Sequence, residues 1–357
     1  VKNTFWHTQA HPLVGLSPMD GVSDHPFRFI QKKYGNPAIV YTEFTSVEGV
    51  CHGADRLLKD FLFDETQRPI IAQIYGTTPN FFRQTATLLC ELGFDGIDIN
   101  MGCPAKNVAH LGAGAALICT PNLAQEIVLA TKAGILDWQN GTSSKDCTDL
   151  TENVWQEVAR RHQLLPPEYQ DRHRSIPVSV KTRIGFDTKI AAEWTKIILE
   201  TEPVAIVLHG RTLAQAYGGL ADWEEIGAAV QVASSTPTLI LGNGDVHSYA
   251  EALEKVARYG VDGVLIGRAA FGNPYVFTSE TITATTQTKN IFEIALEHAQ
   301  LFEATFAADP RYNFLPMRKH LGWYVKEIPE ARQIRIELFQ TTTPKEVKAI
   351  FQQHGML

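Results

Sequence analysis

The sequence predicts an α/β protein, a TIM (β/α)8 barrel with a small all-helical C-terminal domain. Three observations carry this. Eight short apolar runs, each closed by turn residues, recur over roughly the first 270 residues. Stretches of helical periodicity separate them, as βαβ units of a parallel sheet require. After about residue 280 the β signal stops and only helical patterns follow.

The strands are LVGLSP from Leu13, AIVYTE from Ala38, IIAQIYG from Ile70 and GIDINMG from Gly96, then VSVKTR from Val178, AIVLHG from Ala205, TLILGNG from Thr238 and GVLIGR from Gly263. Between them FFRQTATLLCELG (81–93), NLAQEIVLATKAG (122–134), AAEWTKIILE (191–200) and SYAEALEKVARYG (248–260) read as helices, with glycine as a stop signal. Strand starts lie about 25 to 33 residues apart, except for about 80 between the fourth and fifth. The excess, about 135–175, is polar, contains a Pro-Pro pair and predicts one helix at 150–164; it is expected to be an insertion on the barrel. The barrel is thus assigned to 1–280 and a helical domain to 281–357, with helices at 290–308, 314–327 and 344–353.

Apolar residues make up 44% of the 357 and charged residues 20%, an ordinary globular composition. The net charge of −7 excludes a surface that is basic overall, so a nucleic-acid partner needs a local patch. The five cysteines (51, 90, 103, 119 and 147) are odd in number and form no C-x-x-C, which disfavours a disulfide framework and a structural zinc site. No signal peptide is read at the N-terminus, and no apolar run approaches the roughly 18 residues of a membrane helix. A cytoplasmic protein is expected, with no membrane or protein partner and a monomer as the default.

TIM barrels carry their chemistry at the C-terminal ends of the strands. Those positions hold Pro18, Met19 and Asp20; Glu43; Gln73; Asn100 with Cys103; Lys181 with Arg183; His209 with Arg211; Asn243, Gly244 and Asp245; Gly267 and Arg268. Any one alone reads as a loop residue, but polar groups at nearly every exit point jointly to an active site. LILGNGD and VLIGRAAFGNP place small residues after strands seven and eight, where backbone N–H groups and Arg268 suit a phosphate. Lys181 lies within a strand pattern, either as a snorkelling surface lysine or as a cation facing an electron-rich ligand. His209 reads equally as a satisfied core histidine. Gln73 presents an amide to a planar heterocycle. Together these groups suit flavin mononucleotide (FMN).

Six ordered motifs then match a known family. S-P-M-D-G-V-S-D-H-P-F-R (17–28), D-I-N-M-G-C-P (98–104), V-K-T-R-I-G (180–185), L-H-G-R-T (208–212), G-N-G-D (242–245) and G-V-L-I-G-R-A-A-F-G-N-P (263–274) resemble the tRNA-dihydrouridine synthases, closest to their bacterial B-type branch. The resemblance implies that Pro18, Met19, Asp20, Gln73, Lys181, Asn243, Gly244, Asp245, Gly267 and Arg268 bind FMN. It puts Cys103 at the proton donor, and Asn100, Arg183 and His209 near the flavin or the target base. NADPH or NADH as reductant comes from the resemblance alone. Asp20 departs from the family pattern, where a small residue such as Ala is commoner, and the long insertion is a second departure.

The resemblance also explains a thiol placed at a strand exit. Hydride added at C6 of a uracil ring leaves an enolate whose C5 needs a proton. A neutral thiol, pKa about 8.5 when free, supplies one. The other reading of Cys103 is a buried, inert cysteine. For tRNA, and a uridine of its D-loop, residues 311–335 hold six Lys/Arg against two Asp/Glu, a local excess of +4. Arg318, Lys319 and Lys326 are the candidate contacts, interleaved with Trp323 and Tyr324, though such a run also suits a solvated helix face with Trp323 in the core. Two alternatives remain: a flavin barrel acting on a free pyrimidine, of the dihydroorotate dehydrogenase kind, and an inactive tRNA-binding barrel.

Overall fold

A computed structural model describes residues 4–216, 218–278, 284–326 and 328–357, with backbone alone for 284–290. Eight parallel strands form one sheet: β1 (Leu13–Leu16), β2 (Val40–Ser46), β3 (Ile70–Tyr75), β4 (Gly96–Met101), β5 (Val178–Arg183), β6 (Ala205–His209), β7 (Leu239–Asn243) and β8 (Gly263–Ile266). The order β1-β8-β7-β6-β5-β4-β3-β2 runs around a ring. The ring closes just ahead of β2, where Ala38 N donates to Val14 O at 2.9 Å and Leu16 N to Ile39 O at 3.0 Å.

Period-two alternation divides the strand residues between two cores. Leu13, Tyr41, Ile71, Val207, Leu241 and Leu265 fill the barrel interior as one buried cluster. Their neighbours Val14, Ile70, Ile97, Val180, Ile206 and Val264 face outward into a larger cluster shared with the helices. All eight predicted strands are present; six carry apolar residues at both parities and so satisfy both cores, while β4 and β5 turn Asp98, Asn100, Ser179, Lys181 and Arg183 inward.

The helices predicted at 81–93, 191–200 and 248–260 are Pro79–Glu91, Ala191–Leu199 and Tyr249–Tyr259. The helix predicted at 122–134 runs instead from Pro121 to Gln139, so Gly134 does not stop it. A Cβ at Gly134 would lie 1.9 Å from the Arg83 carbonyl oxygen of the neighbouring helix. That glycine permits close helix packing. The segment expected as an insertion therefore loses its first residues to this helix, and its predicted helix at 150–164 is Glu152–His162. The far end of the segment is pinned below the barrel: Arg68, ahead of β3, and Arg174 both lie over the Tyr169 ring, at 3.3 and 4.4 Å from its centroid, and both pair with Asp95.

Beyond the barrel come helices Ala284–Phe306, Leu315–Tyr324, Ala331–Leu338 and Pro344–Gln353. The expected boundary at 280/281 lies outside the described residues. Helix Ala331–Leu338 has no counterpart among the sequence expectations; it buries only Ile334 and Leu338, too short a stripe to read as periodic. These helices share a second core that includes Ile30 from the barrel helix His25–Gly35. Trp323 stacks on Phe271 after β8, centroids 4.0 Å apart and planes at 12°. Among the described residues no single helix is long and apolar enough to cross a membrane.

Candidate active site

The C-terminal ends of the strands surround a cavity of about 630 Å³, within the range of small-molecule sites. Every barrel residue singled out from the sequence for a site role lines it: Pro18, Met19 and Asp20 after β1, Gln73 on β3, Asn100 and Cys103 at β4, Lys181 and Arg183 on β5, His209 on β6, Asn243, Gly244 and Asp245 at β7, and Gly267 and Arg268 after β8. Glu43 does not; its neighbour Phe44 faces the cavity. Glu43 instead belongs with Asp24, Asp60 and the buried Arg28, where burial and the neighbouring carboxylates push its carboxyl up to about 8.

A hydrogen-bonded chain runs from the barrel interior to one wall of the cavity, which its members Gln73, Asn100 and Cys103 line. Ser179 Oγ donates to Asp98 Oδ1 at 2.6 Å and Gln73 Nε2 to Asp98 Oδ2 at 2.7 Å. Asn100 Nδ2 donates to Gln73 Oε1 at 3.0 Å, and Asn100 Oδ1 accepts from the N–H groups of Gly102 and Cys103 at 3.0 and 2.9 Å. Strand register puts these groups side by side: Gln73 is opposite Asp98, Asp98 opposite Ser179, and Asn100 opposite Lys181.

Lys181 points inward, and its ammonium has no hydrogen-bond partner among the described residues. Burial and the adjacent Arg183 bring its pKa down to about 8, against the attraction of Asp98. It is therefore a cation facing the cavity, and the snorkelling alternative is excluded. His209 lies among Lys181, Arg183, Arg211 and Arg268; burial first, then those charges, lower its pKa to about 2, so the ring is neutral. Its Nδ1 is buried without a partner, which excludes a satisfied core histidine. Cys103 is only 9% exposed. Burial raises its thiol and the Asp20 charge adds to that, outweighing the Ala105 backbone hydrogen bond, Arg183 and Lys181, so the sulfur keeps its proton at neutral pH.

Arg183 is engaged: Nε donates to Gly102 O at 2.7 Å, and Nη1 to Thr212 O and Ala216 O at 3.0 and 3.2 Å. It ties the loop before Cys103 to the loop after β6. Arg211, visible at a strand exit but given no role, bonds to Asp245 Oδ2 at 2.6 Å while Arg268 reaches Asp245 Oδ1 at 3.0 Å. Asp245 is thereby an anion between two guanidinium groups. The backbone N–H groups of Gly244, Asp245, Gly267 and Arg268 donate to no group among the described residues. Gly244 has φ +122°, and a Cβ there would meet Ala221 at 2.7 Å. Free N–H groups beside Arg268 suit a phosphate, and Lys181, His209 and Gln73 suit a polar heterocycle.

Asp98 and Ser179, which support the Gln73 amide from outside the cavity lining, are not singled out by sequence reasoning. A signal exists for Asp98: a charged residue inside an apolar strand, as for Lys181. The helical candidates lie outside the cavity. Arg318 Nε donates to Thr341 O at 2.8 Å, Lys319 Nζ to Gly21 O, and Lys326 Nζ to Phe271 O at 3.0 Å. Two of the three thus reach barrel loops at the cavity mouth.

A closed parallel barrel with a thiol, an unpartnered ammonium and a phosphate-type cradle at its C-terminal mouth has the layout of a cofactor-dependent barrel enzyme. A family model for dihydrouridine synthase (Dus) matches residues 15–135 and 168–356. The chain belongs to the dihydrouridine synthase family. The part left unmatched, 136–167, covers the last turn of the helix Pro121–Gln139 and most of the polar segment that follows it before β5. The chain is 32% identical over 358 residues to a protein named "Probable tRNA-dihydrouridine synthase" from Staphylococcus aureus (strain COL), covering 99% of this chain and 96% of that one. It is 31% identical over 355 residues to "Probable tRNA-dihydrouridine synthase 2" from Bacillus subtilis (strain 168), covering 98% and 96%. Among solved structures, ligand-free dihydroorotate dehydrogenase (DHODH) from Eimeria tenella aligns at TM-score 0.47 and 11% identity, over 74% of this chain and 81% of that one. That likeness is too distant to bear on chemistry.

Proposed function

We propose that this chain is a tRNA-dihydrouridine synthase that reduces the C5=C6 bond of a D-loop uridine, with FMN as its flavin and NADPH or NADH as the reductant. The observation that carries the reading is the pairing, in a chain of this family, of a protonated Cys103 thiol with the Lys181 ammonium in one cavity. A bound flavin supplies the hydride. The chain's own residues do the rest. The N–H groups of Gly244, Asp245, Gly267 and Arg268, with the Arg268 guanidinium, hold the phosphate. Pro18, Met19 and Asp20 border the mouth, Gln73, Asn100 and Asn243 offer amides, and neutral His209 offers a ring nitrogen without adding charge. Lys181 places positive charge where negative charge gathers on the heterocycle. Cys103 Sγ–H gives its proton to C5 of the reduced base, and burial keeps that proton in place until then. Arg183 holds the Cys103 loop in register.

tRNA would approach across the helical segment, where the +4 excess of residues 311–335 attracts phosphates even though Arg318, Lys319 and Lys326 also touch backbone carbonyls. The base must leave its stack to enter the cavity. The test is incubation of purified protein with FMN, NADPH and unmodified tRNA, followed by mass mapping of dihydrouridine. Formation at one D-loop site supports the reading. Reduction of free uridine or orotate with none of tRNA would overturn it.

A further inference from the structure

We propose that Asp98, buried and outside the cavity lining, is a positioning residue: its carboxylate anchors the near end of the Asp98–Gln73–Asn100 hydrogen-bond chain and, with the backbone N–H groups at the far end, holds both the Gln73 amide and the backbone of Cys103 in one orientation. The reference to a flavin in its test rests on the function proposed above.

A primary amide can turn over and exchange its C=O and NH2 ends, so Gln73 and Asn100 have no intrinsic orientation. An ionised carboxylate only accepts. At 2.7 Å from Asp98 Oδ2, Gln73 can therefore present only its NH2 end. Its carbonyl must then face Asn100, at 3.0 Å, and receive that residue's NH2. The Asn100 carbonyl is left for the N–H groups of Gly102 and Cys103. Those backbone groups only donate, so the far end of the chain demands the same direction as the near end. Asp98 and Asn100 are two apart on one strand and face the same side, which aligns the chain along β4 toward Cys103.

Asp98 is 0% exposed, and a buried carboxylate is costly unless paired. Its hydrogen-bond partners are two neutral donors, Ser179 and Gln73, and its charge is opposed by Lys181. An apolar residue there would fold at no such cost, as the leucines and isoleucines elsewhere in the barrel interior do. What an apolar residue cannot do is hold the Nε2 end of Gln73, without which the chain rests on Asn100 and its two backbone donors alone.

Two variants and two readouts test this. Asp98→Asn keeps an oxygen that accepts from Gln73; Asp98→Leu keeps the bulk and removes the acceptor. FMN affinity is measured by fluorescence titration, and alkylation of Cys103 by iodoacetamide is followed by peptide mass spectrometry in flavin-free protein. Asp98→Asn should stay within about twofold of wild type in both. Asp98→Leu should lose about tenfold in FMN affinity and alkylate Cys103 about tenfold faster, as expected for one misdirected hydrogen-bond chain. If the Asp98→Leu protein does not fold, the double variant Asp98→Leu with Ser179→Ala removes both polar partners and takes its place. Asp98→Leu matching wild type in Cys103 alkylation overturns the proposal. So does Asp98→Asn failing as badly as Asp98→Leu, which would make charge the cause. Should wild-type protein bind no FMN, the cofactor reading fails while the alkylation arm still decides the role of Asp98.

Discussion

Replacing Lys181 by methionine separates two quantities that the lysine couples, the stability of the empty barrel and its grip on a ligand. Burial beside Arg183 takes the ammonium from 10.5 down to about 8, a cost to the folded state of ~3 kcal/mol wherever the lysine is charged. Methionine has similar length and no charge. It also removes the cation opposite Asp98, so a net gain of about 2 kcal/mol is expected. With an unfolding entropy of roughly 2.1 cal/mol/K per residue, that gain raises Tm by about 2–3 °C. The pH dependence has a definite sign. Below pH 8 both folded and unfolded lysine are protonated and the penalty is complete. Between about 8 and 10.5 the folded lysine has released its proton while the unfolded one keeps it, so wild type gains stability with rising pH. Melts of flavin-free protein should show Lys181→Met ahead at pH 7 and the gap closing toward pH 10. FMN affinity should fall tenfold or more, the value of a charge-assisted hydrogen bond. Lys181→Met below wild type at pH 7, or a gap that does not change with pH, would refute the reasoning.

Cys103→Ala should leave flavin binding and reduction by NADPH intact while dihydrouridine formation drops at least ~100-fold, measured by tRNA mass mapping. Gly244→Ala puts a side chain at φ +122° and 2.7 Å from Ala221; strain of about 1–3 kcal/mol should appear as weaker FMN binding by titration, with Cys103 alkylation unchanged. Trp323→Ala removes the stack on Phe271, and should cost about 2–3 kcal/mol in urea unfolding and hasten proteolysis between barrel and helices. His320 is buried with neither ring nitrogen partnered and its pKa held well below 6.5 by burial, then by His298 and Lys319. The folded ring stays neutral while the unfolded one charges, so wild type loses ~1.4 kcal/mol per pH unit below about 6.5 on its account. His320→Phe should therefore move the acid-unfolding midpoint to lower pH, leaving the similar contributions of His298, His209 and His25.

Strand-exit reading found the cavity because barrel topology sends each exit to the same mouth. It ranked exits by chemical type, so it could not separate Glu43, whose side chain leaves the barrel beside the β2 bulge between Tyr41 and Phe44, from Phe44, which faces in. It saw Arg211 as one more cation, because the partner that gives it a role, Asp245, is 34 residues away. In the sequence Lys319 and Lys326 read as tRNA contacts or as charges on a solvated helix face. The carbonyls they meet, on Gly21 and Phe271, belong to barrel loops 298 and 55 residues distant.

From the sequence alone came the alternation of eight strands with helices, the protonatable thiol behind β4 and the glycines after β7 and β8. Local periodicity and turn chemistry encode these within a few residues of chain. Tertiary structure alone decided protonation and direction. Lys181 titrates at about 8, His209 is neutral and Cys103 a thiol because of what burial and neighbouring charges do to each proton. Gly134 continues a helix because a neighbouring backbone lies against it. Gln73 and Asn100 face one way because β3, β4 and β5 are in register at Asp98, and hydrogen bonds between strands depend on that register, which no short stretch of sequence specifies.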